Sequence, residues 1–120
     1  MCDKIEVTAV LYALEKINGK WKIPILLNLR LKGEMRFNEL QKTIDGIGSK
    51  MLSKELKELE EKGLILRNVS VSTPIRITYN ISKYGRTLDT VLFALSNWGQ
   101  MHIVETTNEH TINHQHIIDI

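Results

Sequence analysis

At 120 residues with a net charge of +2, the chain is sized for one domain and leaves no room for two independent cores. Its 42% hydrophobic and 25% charged content is that of an ordinary soluble globular protein, and its apolar stretches fall well short of the roughly 18 residues a membrane span needs. A single cysteine excludes an intramolecular disulfide framework. The opening segment MCDKIEVTAV has no basic run followed by an apolar one, so no secretory signal is read there and the cytoplasm is the expected location. The charge is unevenly spread. Residues 20–67 carry 11 Lys and Arg against 7 Asp and Glu, whereas each flank is slightly acidic. A local excess of this kind attracts phosphate.

In chain order, Val7, Val10, Leu11, Leu14 and Ile17 form a helical stripe that stops at Asn18-Gly19. A second helix is predicted over residues 21–31. Pro24 is tolerated near its first turn, where a missing N–H costs little, and Lys32-Gly33 closes it. A short third helix is predicted over 38–44, with Asn38 as N-cap and Gln41 three residues on in the manner of a capping box. Phe37, Leu40 and Ile44 are its inward residues. Asp45-Gly46-Ile47-Gly48 reads as a turn, and Ser49 as the cap of a fourth helix over 49–62 that Gly63 ends.

In that fourth helix Leu52, Leu56 and Leu59 fall at i, i+4 and i+7, an apolar stripe. Lys50, Lys54 and Lys57 have the same spacing on the opposite face. A buried face backing a basic face is how a helix-turn-helix recognition helix is built. The charge order runs against helix stability. Lys50 stands in the first turn, where the macrodipole disfavours a cation by a few tenths to about 1 kcal/mol, and Glu58, Glu60 and Glu61 crowd the other end. Local rules broken in this way point to function. A solvated charged face is the plainer alternative.

Two runs follow, LILRNVSV and IRITYNIS, separated by Ser72-Thr73-Pro74. The second alternates, with Ile75, Ile77, Tyr79 and Ile81 on one face, as a half-buried strand does. A two-stranded hairpin after a helix-turn-helix is a wing. A last helix is predicted from a cap at Ser82 to about 102, with Tyr84, Leu88, Val91, Leu92, Leu95 and Trp98 as its stripe. About 20 residues span roughly 30 Å, too long for so small a core to cover. The stripe is therefore expected to pack on a second copy of the chain, with the first helix beside it. Residues 103–120 lack periodicity and are expected to form a mobile tail.

The segments NGKWKIPIL, MRFNELQKTIDGIGSKMLSKELKELEEKGLI, TPIRITYNISKYGRTL and LFALSNWG occur in that order. Together they resemble the HxlR-type winged-helix transcriptional regulators, relatives of the MarR group, over about residues 8–100. The resemblance implies a mostly α fold with a small β-hairpin: a winged helix-turn-helix over residues 19–84, flanked by dimerisation helices at 5–18 and 82–102. It implies a prokaryotic homodimer on a pseudo-palindromic DNA operator, responsive to a signal such as an unidentified small-molecule effector. Members commonly carry a Cys-Pro about 13 residues before the tryptophan, and in some of them that thiol senses oxidants. Here Thr8 and Ala9 stand in those positions, so that role does not transfer; Cys2 lies six residues upstream.

The expected DNA contacts divide by chemistry. Ser49 and the lysines suit phosphate, Lys57 most plainly. Ser53 and Lys54 are placed to read bases, with Lys50 and Met51 beside them. Met51 reads equally as a thymine-methyl contact or a core-edge residue. Arg36 and Asn38 can reach the backbone, Asn38 equally serving only as a cap. In the wing, Ser72, Thr73 and Arg76 suit backbone or minor groove, with an ion pair as the alternative for Arg76. The expected dimer contact is Val7, Val10, Leu11 and Leu14 with Leu88, Val91, Leu92, Leu95 and Trp98. Trp21 and Trp98 read as core before pocket. His110, His114 and His116 lack the cysteine or carboxylate that would complete a metal set. No Ser-His-Asp signature, phosphate-binding glycine loop or HExxH is present, so no catalytic residue, cofactor or metal is expected. The competing reading is a winged helix that offers its basic face to an acidic protein.

Overall fold

The computed structural model describes residues 4–109, with side-chain environments to residue 103. The chain divides after Arg86 into two compact units. The first holds helix α1 (Val7–Ile17), α2 (Lys22–Lys32), strand β1 (Met35–Arg36), α3 (Phe37–Thr43), α4 (Ser49–Glu61), β2 (Ile65–Ser70) and β3 (Arg76–Ile81). The second is built on α5 (Asp89–Glu109), which a 3₁₀ turn at Gly85–Leu88 precedes.

The core of the first unit is aliphatic. Ile25, Leu26 and Leu29 of α2 are buried together with Leu40 of α3, the α4 stripe Leu52, Leu56 and Leu59, and Leu64 and Ile65 entering β2. The i, i+4, i+7 stripe read in α4 is therefore its buried face. Ile44 and Ile47 are buried too, which anchors the turn between α3 and α4 and holds the two helices as a helix-turn-helix. Pro24 lies in the first turn of α2, and its carbonyl accepts a bond from Asn28 Nδ2 at 2.8 Å. At the end of α4, Gly63 takes φ +79°, a left-handed value open to glycine, and its N–H bonds to the Glu60 carbonyl at 2.9 Å.

Three helix starts differ from expectation. The N-cap of α3 is Arg36, not Asn38. The Arg36 N–H donates to Glu39 Oε1 at 2.7 Å, so the reciprocal acid is Glu39 in place of Gln41. Asn38 is an exposed residue inside the helix. The N-cap of α4 is Gly48, and Ser49 is the first helical residue. Ser82 caps the 3₁₀ turn: its hydroxyl accepts from Gly85 N–H at 2.8 Å and donates to the Gly63 carbonyl at 2.6 Å. The long helix begins at Asp89 and runs past the expected end to Glu109. At α3 the Glu39 carboxylate takes the backbone N–H of the N-cap residue, and the other two starts shift by the one or several residues that local sequence does not decide.

The sheet has three strands, not two, in the order β1-β3-β2, all antiparallel. In β1, Met35 pairs with Tyr79 and Arg36 with Thr78; two residues are too few to show alternation in sequence. Between β2 and β3 the register runs from Ile65 opposite Ile81 to Ser70 opposite Arg76. The expected inward face of β3 is buried only at its base. Tyr79 and Ile81 are covered, but Ile77 is 37% and Ile75 70% exposed. A six-residue strand extends roughly 20 Å, and the distal half of the hairpin outruns the helices and stands free as a wing.

Candidate nucleic-acid interface

With the leucines of α4 buried, 3.6 residues per turn turns the other face outward. Ser49, Lys50, Met51, Ser53, Lys54 and Lys57 are all exposed there. These six expected contacts lie on one helix, within two and a half turns. Met51 is 39% exposed, one turn from buried Glu55, at the margin between the outer face and the core. The α4 start is free of acid and its last turn free of base, so the basic residues stay where the macrodipole disfavours them.

The hinge between α3 and α4 is bonded by side chains. Gln41 Nε2 donates to Ser49 Oγ at 3.0 Å. That occupies one lone pair of the hydroxyl and leaves its hydrogen to donate outward.

Arg36 and Arg76, read separately from the sequence, share one surface. Arg36 lies opposite Thr78 in the register, Asn68 opposite Thr78 on the other side, and Ser70 opposite Arg76. Cross-strand partners point to one face, so these five residues form a polar plaque on the outer side of the sheet. With Glu34 and Val69 they line a shallow hollow of ≈ 320 Å³. The Glu34 carboxylate accepts a hydrogen bond from the Thr78 hydroxyl. Ser72 and Thr73 are exposed at the wing tip, and Ser72 Oγ lies 2.8 Å from Ser70 Oγ.

Sequence reading missed an ion network behind α4. Lys22, the first residue of α2, is buried, with its side chain 6% exposed. Its ammonium lies 2.6 Å from Glu55 Oε1 and 2.6 Å from Glu58 Oε1. Burial, the largest single influence, pulls the Lys22 pKa down. The hydrogen bonds and charges of Glu55 and Glu58 outweigh it together and leave the ammonium above its ordinary value. The Lys22 hydrogen bond holds the Glu58 carboxyl below the usual carboxylate range, against a smaller opposing effect of burial and with help from the charges of Lys22, Lys54 and Lys62. Glu58 also reaches Lys54, whose Nζ is 3.8 Å from Oε2. Lys62, the C-cap residue of α4, donates to the Glu15 carbonyl in the last turn of α1 at 2.8 Å. The sole trace of this network in sequence is the acid-rich second half of α4.

In α1 only Ile17 of the predicted stripe is buried; Val7, Val10, Leu11 and Leu14 are 46–64% exposed. Within α5, Leu92 is buried and Leu88 half-buried, whereas Val91, Leu95 and Trp98 are exposed. Trp98 stacks on His102 with ring centroids 4.0 Å apart, and Trp21 is half-buried. No group of His, Cys, Asp and Glu fit for a metal occurs among the described residues, and no described helix is long and apolar enough to cross a membrane. Cys2, His110, His114 and His116 lie outside the described residues.

Residues 16–107 match the family model described as HxlR-like helix-turn-helix. The chain is 43% identical over 90 residues to YtcD of Bacillus subtilis (strain 168), an uncharacterized HTH-type transcriptional regulator; the match covers 75% of this chain and 71% of YtcD. It superposes on a crystal structure of a ytcD regulator with a TM-score of 0.75 at 42% identity, over 78% of this chain and 95% of the other. A regulator assigned to the MarR family, from Enterococcus faecalis V583, gives a TM-score of 0.78 at 30% identity over 90% and 97% of the two chains. The redox regulator HypR in its reduced form gives 0.74 at 31% identity over 82% and 98%.

Proposed function

The chain belongs to the HxlR-like helix-turn-helix family and is a helix-turn-helix transcriptional regulator; from that premise we propose that it binds double-stranded DNA as a homodimer on a pseudo-palindromic operator. The observation that carries this reading is the division of α4 into a fully buried leucine face and an exposed Lys-Ser face. The basic N-terminal half of such a helix enters the major groove. There Ser53 and Lys54 meet base edges, with Lys50 and Met51 alongside, while Ser49 and Lys57 hold phosphates. Arg36 and Asn38 add backbone contacts from α3. Ser72, Thr73 and Arg76 bring the wing to the flanking backbone or minor groove.

A palindromic site needs two copies. The apolar residues left exposed on α1 and α5 support pairing. Five large hydrophobics on α1 and five on α5 are exposed among the described residues, more than scattered surface hydrophobics account for. A dimer of this kind sets its two α4 helices about 34 Å apart, one turn of DNA. A signal would act by changing that spacing or the wing angle, since only a contact that differs between states can shift affinity. Thr8 and Ala9 offer no thiol in α1, so the signal is not a thiol switch at those positions. The cytoplasm is the compartment in which such a regulator meets DNA.

The test is selection from a random-sequence duplex pool, followed by titration of the selected and a scrambled duplex at several salt concentrations, with sedimentation of the free protein. The expected result is a two-fold-related consensus, bound in preference to the scrambled duplex by a protein that sediments as a dimer. Its affinity should fall steeply with salt. Failure to enrich any sequence, with no salt-sensitive binding to either duplex, would overturn the reading in favour of an acidic protein as the partner of the basic face.

A further inference from the structure

Glu58 stands between two lysines. Its Oε1 is 2.6 Å from buried Lys22, and its Oε2 is 3.8 Å from exposed Lys54, one helical turn away on α4. The side chain of Lys54 is 62% exposed and that of Lys22 6%. One lysine is thus enclosed against α4 from behind, and the other faces the proposed DNA surface. A carboxylate held at 2.6 Å by a buried, hydrogen-bonded ammonium is engaged far more strongly than one 3.8 Å from a solvated amine. We infer that Lys22 is a positioning residue for DNA binding: by holding Glu58 it keeps that carboxylate from closing on Lys54 and leaves the Lys54 ammonium available to the duplex.

The argument rests on the DNA-binding reading but adds a residue that touches no DNA. Residues i and i+4 on a helix are neighbours, so Lys54 and Glu58 can close to a full ion pair whenever nothing else holds the acid. With Lys22 absent, Glu58 would turn to Lys54, already 3.8 Å away, because the Lys62 ammonium is engaged by the Glu15 carbonyl, and would move negative charge toward the phosphates. Glu55 fixes Lys22 in place through the second 2.6 Å contact, so the device comprises Lys22, Glu55, Glu58 and Lys54. It also accounts for acids in the second half of a helix whose outer face is basic. Two of them, Glu55 and Glu58, are turned onto Lys22.

The test replaces the enclosed pair as a unit. The variant K22M/E55M exchanges a buried ion pair for two apolar side chains of similar size, a change that folded proteins often accept. Its melting curve establishes that it folds. The probe is the duplex selected by the wild-type protein, titrated at several salt concentrations. K22M/E55M is expected to bind about two- to fivefold more weakly, the size of an exposed ion pair, and with a smaller salt dependence. Adding E58Q is expected to restore binding, and adding K54A to cost less than the same change does in the wild-type background. Wild-type affinity in folded K22M/E55M, or no recovery on adding E58Q, would overturn the inference. A second measurement needs neither DNA nor a Lys22 variant. The Glu58 carboxyl is titrated by NMR in the wild type and in K54A, a surface change. A midpoint that stays in place shows that Lys22 holds the acid; a large upward move shows that Lys54 does, and overturns the inference even if the protein binds no duplex. Failure of the wild type to bind any duplex would instead sink the DNA reading, with the titration still deciding the competition.

Discussion

Lys22 and Glu55, 33 positions apart in the chain, meet at 2.6 Å and tie the first turn of α2 to the middle of α4. Both side chains are nearly enclosed, at 6% and 11% exposure. Removing one partner therefore leaves an uncompensated buried charge. Lys22→Met alone should destabilise the fold by about 3–5 kcal/mol, and adding Glu55→Met should recover most of that. Chemical denaturation of the two variants checks the order.

The same network sets the pH dependence. Glu58 titrates below its ordinary value of 4.5 in the folded chain, so its contribution is present above that value and is lost as pH falls through the lower, folded one. The Lys22 pKa is raised above 10.5, so its contribution is full below that value and is lost as pH rises through the higher, folded one. Stability should hold level over the neutral range and fall at both extremes. A Glu58→Gln variant should show a shallower acid limb. Thermal melts from pH 3 to about 11 test both limbs.

On α4 the two kinds of contact separate by their salt and sequence dependence. Lys54→Ala should cost about 1–3 kcal/mol on the selected duplex and relax preference at one base position. Lys57→Ala should weaken selected and scrambled duplexes alike and lower the salt slope by about one. Unchanged operator affinity would remove Lys54 from the base-reading set. A loss confined to the operator would contradict the phosphate role of Lys57.

The exposed stripes of α1 and α5 predict the oligomer. Leu11 is 60% and Leu95 52% exposed in the single chain, so Leu11→Glu or Leu95→Glu should leave the winged-helix unit folded and shift sedimentation from dimer to monomer. Burying an unpaired carboxylate in an apolar interface costs several kcal/mol. Retention of the dimer in both variants would place the interface elsewhere.

Gly85 is required by close approach. A Cβ there would run into the Leu64 carbonyl oxygen and come within 2.7 Å of Ile81 Cγ1. The carbonyl belongs to the backbone and cannot swing aside. Gly85→Ala should destabilise by about 1–3 kcal/mol, as overpacking does. An unchanged melting temperature would show that the turn moves freely.

Side-chain periodicity disclosed the elements on which the proposed DNA-binding surface is built. Leu52, Leu56 and Leu59 repeat at the helical period and proved to be the buried face of α4, so the exposure of Lys50, Lys54 and Lys57 followed from geometry. The alternation of β3 and the turn residues between the strands disclosed the hairpin in the same way. These signals are local, and a few residues carry each of them. The tertiary structure decided everything that depends on partners distant in sequence. Strand β1 exists only because Met35 and Arg36 find Tyr79 and Thr78 more than forty residues away. The half-exposed β3 reflects how far the helices reach, which no alternation encodes. Lys22 reads in sequence as one more positive charge among 16 Lys and Arg, and its burial between Glu55 and Glu58 is set by how α2 crosses α4. Charge type is written in the chain, but which charges meet is a property of packing.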